Sequence, residues 1–121
     1  MDAAGSLLLV EDDAILREIY AAKLETAGFT VHSAGDAATA RALFQAHRPV
    51  LACVDARLPD GSGAELGAAL AASGATVVLL TNDQEIVDHP PNGVAAALLK
   101  IVTPPARLAE ELNRLLAQSG V

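Results

Sequence analysis

Five short apolar runs alternate with five stretches of helical character, and this alternation limits the folds open to the chain. The runs cover residues 6–10 (SLLLV), 30–34 (TVHSA), 50–54 (VLACV), 76–80 (TVVLL) and 94–99 (VAAALL). Between residues 14 and 27, Leu16, Tyr20 and Leu24 recur every fourth position with Ile15 and Ile19 beside them, which predicts one apolar helical stripe. Gly28 follows the last turn, where a left-handed residue is expected. Asp36 is placed to cap a helix over 37–46 with Ala40, Leu43 and Phe44 facing inward, and Arg48-Pro49 stops it. Ser62 and Glu65 have capping-box spacing, so a helix is expected from there to about residue 72, ended by Gly74. The polar segment 82–93 contains Pro90-Pro91 and admits one or two helical turns early on. Thr103 is expected to cap a final helix with Pro104 at its first position and Leu108, Leu112, Leu115 and Leu116 on its apolar face.

Short strands alternating with helices imply an α/β fold: a doubly wound, five-stranded parallel sheet with right-handed crossovers and helices on both faces. The run 50–54 is continuous and partly β-branched, as a central strand covered on both sides should be. At 121 residues the chain suffices for one core, and residues 1–121 are expected to form one domain. With aromatics at 2%, that core must be aliphatic. A net charge of −7, with Tyr20, Phe29 and Phe44 the only aromatics, argues against nucleic-acid binding. No apolar run approaches membrane-spanning length, and MDAAGS lacks the basic region of a secretory leader, so a cytoplasmic protein without membrane contact is expected. Cys53, the single cysteine, reads as a buried hydrophobe.

In open parallel sheets, ligands bind beyond the carboxyl ends of the strands. Glu11-Asp12-Asp13 ends the first strand, Asp55 the third, Thr81 the fourth and Lys100 the fifth. Gathered at one edge, such carboxylates repel unless a proton or cation relieves them. Mg2+ suits an all-oxygen site of this kind. A carboxylate can then serve as nucleophile for a phosphoryl group, with the metal and an ammonium neutralising its oxygens and a hydroxyl bonding one of them. Each residue also has a purely structural explanation. Asp13 suits the cap of the first helix, Glu11 and Asp12 could be solvated, Asp55 could begin a turn, and Thr81 could simply end a strand. Lys100 resists this treatment, because one of only two lysines closes an apolar strand. The four strand ends together favour the functional reading. His32, His47 and His89 have no metal-ligand spacing, and Arg17 is expected at the surface.

The segments LLLVEDD (7–13) with Arg17, VDARLPDGSG (54–63), LLT (79–81) and LLK (98–100) resemble, in this order, the receiver domain of two-component response regulators. The resemblance covers nearly the whole chain. It implies a flavodoxin-like (βα)5 fold and a signalling switch rather than a turnover enzyme. It assigns Asp55 as phosphoacceptor, with Thr81 and Lys100 contacting the phosphoryl group. Glu11, Asp12, Asp55 and the backbone carbonyl of Arg57 would hold Mg2+ or Mn2+. A histidine kinase or phosphotransfer protein would be the donor, and a downstream protein the target.

Departures from the family lie on one side. Asn82 stands where a small residue usually follows the Thr, and Ala97 replaces the aromatic switch residue. Ile101 replaces the Pro, in a cis peptide, that normally follows the Lys. The fourth helix is expected to be short or degenerate. Without the aromatic, activation is expected to move the Thr81 loop and the segment after it. A competing reading is a non-phosphorylated interaction module that kept the fold. A phosphohydrolase of the haloacid-dehalogenase type is disfavoured, since its second Asp would fall at Arg57.

Overall fold

The computed structural model describes residues 5–119. The leader expectation rests partly on the first four residues, which lie outside that range. The main elements in chain order are β1 (Gly5–Val10), α1 (Ala14–Thr26), β2 (Phe29–Ala34), α2 (Ala37–His47) and β3 (Leu51–Asp55). A two-residue-per-strand hairpin follows, β4 (Arg57–Leu58) and β5 (Gly61–Ser62). Then come α3 (Gly63–Ala72), β6 (Thr76–Thr81), α4 (Gln84–Asp88), β7 (Ala96–Leu99), a 3₁₀ turn (Lys100–Val102) and α5 (Pro105–Ser119).

Five strands form one parallel sheet in the order β2-β1-β3-β6-β7. This is the expected doubly wound, flavodoxin-like arrangement. Side chains alternate across it with period two. Leu8, Val10, Ala52, Val54, Val77 and Leu79 face one layer, where Phe44 of α2 and Leu66 and Leu70 of α3 cover them. Leu7, Leu9, Leu51, Cys53, Val78 and Leu80 face the other, under Tyr20 and Leu24 of α1 and Leu108 and Leu112 of α5. All five residues of β3 are buried, as a central strand requires. No helix among the described residues is long and apolar enough to cross a membrane.

Local signals set the helix starts. Asp13 Oδ1 accepts the Ile15 and Leu16 N–H groups, Asp36 Oδ1 that of Thr39, and Ser62 Oγ that of Glu65. Gly28 takes φ +105° after α1, a conformation open to glycine at little cost. The fourth helix is indeed short, five residues capped by Asp83.

Other expectations need correction. Ile15 and Ile19 are 72% and 49% exposed, because the sheet takes only the Leu16–Tyr20–Leu24 edge of α1. The third strand begins at Leu51, leaving Val50 half-exposed, and β7 begins at Ala96 rather than at 94. Thr103 does not cap α5 with its side chain. Its hydroxyl donates to the Leu99 carbonyl at 2.6 Å, and its own carbonyl accepts the Tyr20 hydroxyl. Pro104 accepts the Leu108 N–H through its carbonyl, so Pro105 holds the first helical position.

Candidate functional site

Strand register alone brings the chemistry together. Val10 pairs with Val54, so Glu11 and Asp55 are the next residues on adjacent strands. Asp55 pairs with Leu80, one residue before Thr81. Thr81 in turn pairs with Leu99, one residue before Lys100. Four strand ends thus meet at the carboxyl edge of the sheet.

Glu11 is 2% exposed and Asp55 7% exposed, an unusual depth for two acids side by side. Lys100 bridges them. Its Nζ lies 2.8 Å from Asp55 Oδ2, as a hydrogen bond, and 2.7 Å from Glu11 Oε1. The second contact is an ion pair without hydrogen-bond alignment, which leaves Glu11 Oε1 without a hydrogen-bond partner. Burial raises the Glu11 carboxyl above its usual range, although Lys100 and the Asp13 N–H oppose the shift. Burial alone would lower the Lys100 ammonium, but its hydrogen bond to Asp55 and its ion pair with Glu11 outweigh this and hold it above the ordinary lysine range.

Carboxylate oxygens of Glu11, Asp12 and Asp55 lie within 4.8 Å of one another. Three carboxylates against one ammonium leave two formal negative charges in a small volume. An all-oxygen set with excess negative charge fits a hard divalent cation.

The loops around this cluster are tied down. Asp13 donates its N–H to Glu11 Oε2 while capping α1. Arg57 donates its N–H to Asp55 Oδ1 at 3.1 Å. The β4–β5 hairpin turns the chain back, and Gly63 N–H donates to the Ala56 carbonyl at 2.8 Å. A Cβ on Gly63 would lie 1.8 Å from the Asp55 carbonyl oxygen, so only glycine fits there. Thr81 is buried, and its Oγ1 accepts the Asp83 N–H at 3.0 Å. A cleft of about 520 Å³ opens beside it, lined by Arg57, Thr81, Asn82, Asp83 and Ile86.

Glu11, Asp12, Asp55, Thr81, Lys100 and the Arg57 backbone therefore all lie at one sheet edge. Asp13 caps a helix, as its structural explanation held. Arg17 is not simply a surface residue: its Nη1 donates to the Glu11 carbonyl at 2.7 Å and fixes the acidic loop from outside. Asp60 escaped the sequence reading. Its carboxylate accepts the Ala37 and Ala38 N–H groups at 2.8 and 3.1 Å, pinning the loop after Asp55 to the start of α2. A Pro-Asp-Gly turn signals a bend, and nothing local reveals a partner 23 residues away. His32 and His47, unrelated by spacing, stack with ring centroids 4.0 Å apart.

The model of the response regulator receiver domain matches residues 7–113. The chain belongs to the receiver family of response regulators. RegA, the photosynthetic apparatus regulatory protein of Cereibacter sphaeroides, is 39% identical over 66 residues, 54% of this chain and 36% of RegA. TcrX of Mycobacterium tuberculosis is 31% identical over 121 residues, 96% of this receiver and 51% of TcrX. The receiver thus spans about half or less of the length of these curated relatives. A CheY-like receiver structure from Methanospirillum hungatei superposes with a TM-score of 0.84 at 26% identity, covering 93% of this chain and 94% of that one. The fold, the family and a place in two-component signalling follow from these matches together.

Proposed function

We propose that this receiver, residues 1–121 acting as a single domain, is a phosphoacceptor switch that takes a phosphoryl group on Asp55. The observation that carries this reading is the junction of Glu11, Asp12, Asp55 and Lys100 at the sheet edge. In the proposed step, a carboxylate oxygen of Asp55 attacks phosphorus as the bond from phosphorus to the donor atom breaks. The donor leaves with the electron pair of that bond and a proton from solvent. Glu11, Asp12, Asp55 and the Arg57 carbonyl would hold Mg2+ or Mn2+. When bound, that ion supplies charge neutralisation at the phosphoryl oxygens. Lys100, already against Asp55 Oδ2, is within reach of an oxygen of a phosphoryl group formed there. The Thr81 hydroxyl, which accepts from Asp83, has its own proton to donate to another.

The donor is a histidine kinase or phosphotransfer protein, and the output is altered binding to a downstream protein in the cytoplasm. The acidic surface disfavours nucleic acid as a direct partner of this domain, and no membrane contact is invoked. It signals and does not turn over substrate. The test is intact-mass spectrometry after incubation with phosphoramidate, with and without Mg2+. A single Mg2+-dependent adduct, absent in Asp55→Ala, is expected. A folded wild type that takes no adduct from any small donor would instead favour an interaction module that does not use phosphate.

A further inference from the structure

Two residues that follow the functional side chains at the sheet edge, Asn82 after Thr81 and Ile101 after Lys100, touch each other. The Asn82 Oδ1 accepts the Ile101 N–H at 3.0 Å. A proline at 101 would have no N–H to give, and a small apolar residue at 82 would have no oxygen to receive it. Each of the two residues supplies what the other needs. The described peptide bonds are all trans, including the one between Lys100 and Ile101.

The location gives this bond its meaning. Backbone pairing of β6 with β7 ends at Thr81 and Leu99. The Asn82–Ile101 bond continues the connection past that end, between the residue after Thr81 and the residue after Lys100. On one side Thr81 holds the Asp83 N–H, and on the other Lys100 holds Asp55 and Glu11. Ala97, buried within β7, has no side chain long enough to couple the two loops. We infer that Asn82 is a positioning residue: by holding the Ile101 N–H it sets the Lys100 turn against the Thr81 loop, and so couples the two groups that receive the phosphoryl oxygens. The inference rests on Asp55 as phosphoacceptor for its consequence, but not for the bond itself.

The test uses wild type, Asn82→Ala, Ile101→Pro, the double variant, and Ile101→Ala, which keeps the N–H. Amide exchange at residue 101 is followed by NMR wherever an N–H remains, and adduct formation with phosphoramidate and Mg2+ by mass spectrometry. Asn82→Ala is expected to speed exchange of the Ile101 amide and to slow adduct formation about three- to fivefold, the scale of one solvent-exposed hydrogen bond. Ile101→Pro should slow it comparably, the double variant no more than the slower single one, and Ile101→Ala not at all. Unchanged exchange in Asn82→Ala, or effects that multiply in the double variant, would overturn the inference. If wild type takes no adduct, the phosphoacceptor reading fails separately. Amide shifts on Mg2+ addition then decide the coupling: a shift at Ile101 in wild type that disappears in Asn82→Ala supports it, and the same shift in both proteins overturns it.

Discussion

Lys100 faces two buried carboxylates that would otherwise face each other, and this governs what substitutions at the site should do. Removing it with Lys100→Ala leaves Glu11 and Asp55 in mutual repulsion, and a loss of about 1–3 kcal/mol in urea unfolding without metal is expected. Glu11→Gln acts in the opposite sense. Burial already penalises that carboxylate, so the metal-free variant should unfold at the same temperature as wild type or higher. It should also lose most of the thermal stabilisation expected from Mg2+ in wild type, which differential scanning fluorimetry would read. A Glu11→Gln protein markedly less stable without metal would contradict this balance. Gly63→Ala should cost at least about 2 kcal/mol, since its Cβ would meet the Asp55 carbonyl rather than a movable side chain. At this scale the sequence was legible wherever chemistry sits at a strand end: Glu11, Asp55, Thr81 and Lys100 were each read from the residue that closes an apolar run. The contacts of Arg17, Asp60 and Asn82 were not, because each partner is chosen by the fold and not by spacing.

Elements read well where their ends are fixed locally and poorly where tertiary packing decides. Asp13, Asp36 and Ser62 cap the helices that their positions predicted, because a cap needs only the next three residues. Thr103 has the same residue type before a helix but spends its hydroxyl on Leu99, after Tyr20 has drawn the loop inward. The stripe that periodicity predicts for α1 is too wide at Ile15 and Ile19, since periodicity does not say how much of a face a sheet will cover. The helix α2 carries two tests. Asp60→Ala removes two acceptors at its start and should lower the urea-unfolding midpoint. At its other end His47 stacks on His32 of β2. Burial, aided by His47, lowers the His32 pKa. The unfolded chain then binds a proton at higher pH than the folded one, so this stabilising contribution is present above the ordinary histidine value and lost as pH falls below about 6.5. The urea midpoint should therefore drop between pH 7.5 and 5.5, and drop less in His32→Asn.

At the scale of the whole molecule, the order β2-β1-β3-β6-β7 turns a sequence of strand ends into a site. The alternation of apolar runs and helices was sufficient for the sheet, because parallel strands need crossovers and crossovers need helices. The β1–β3, β3–β6 and β6–β7 registers then fix which residues meet, and no side chain need be long to reach the centre. What the linear pattern could not supply was the closure of the loops around that centre, which depends on contacts between segments far apart in the chain. The role proposed for this site depends on Asp55 receiving the phosphoryl group. Its most direct test is borohydride reduction of the phosphoramidate-treated protein followed by peptide mass spectrometry, since reduction converts an aspartyl phosphate to homoserine. Homoserine is expected at position 55, formed only with Mg2+ present. Homoserine at position 12 or 13 with Asp55 intact, or none in a protein that remains folded, would contradict it.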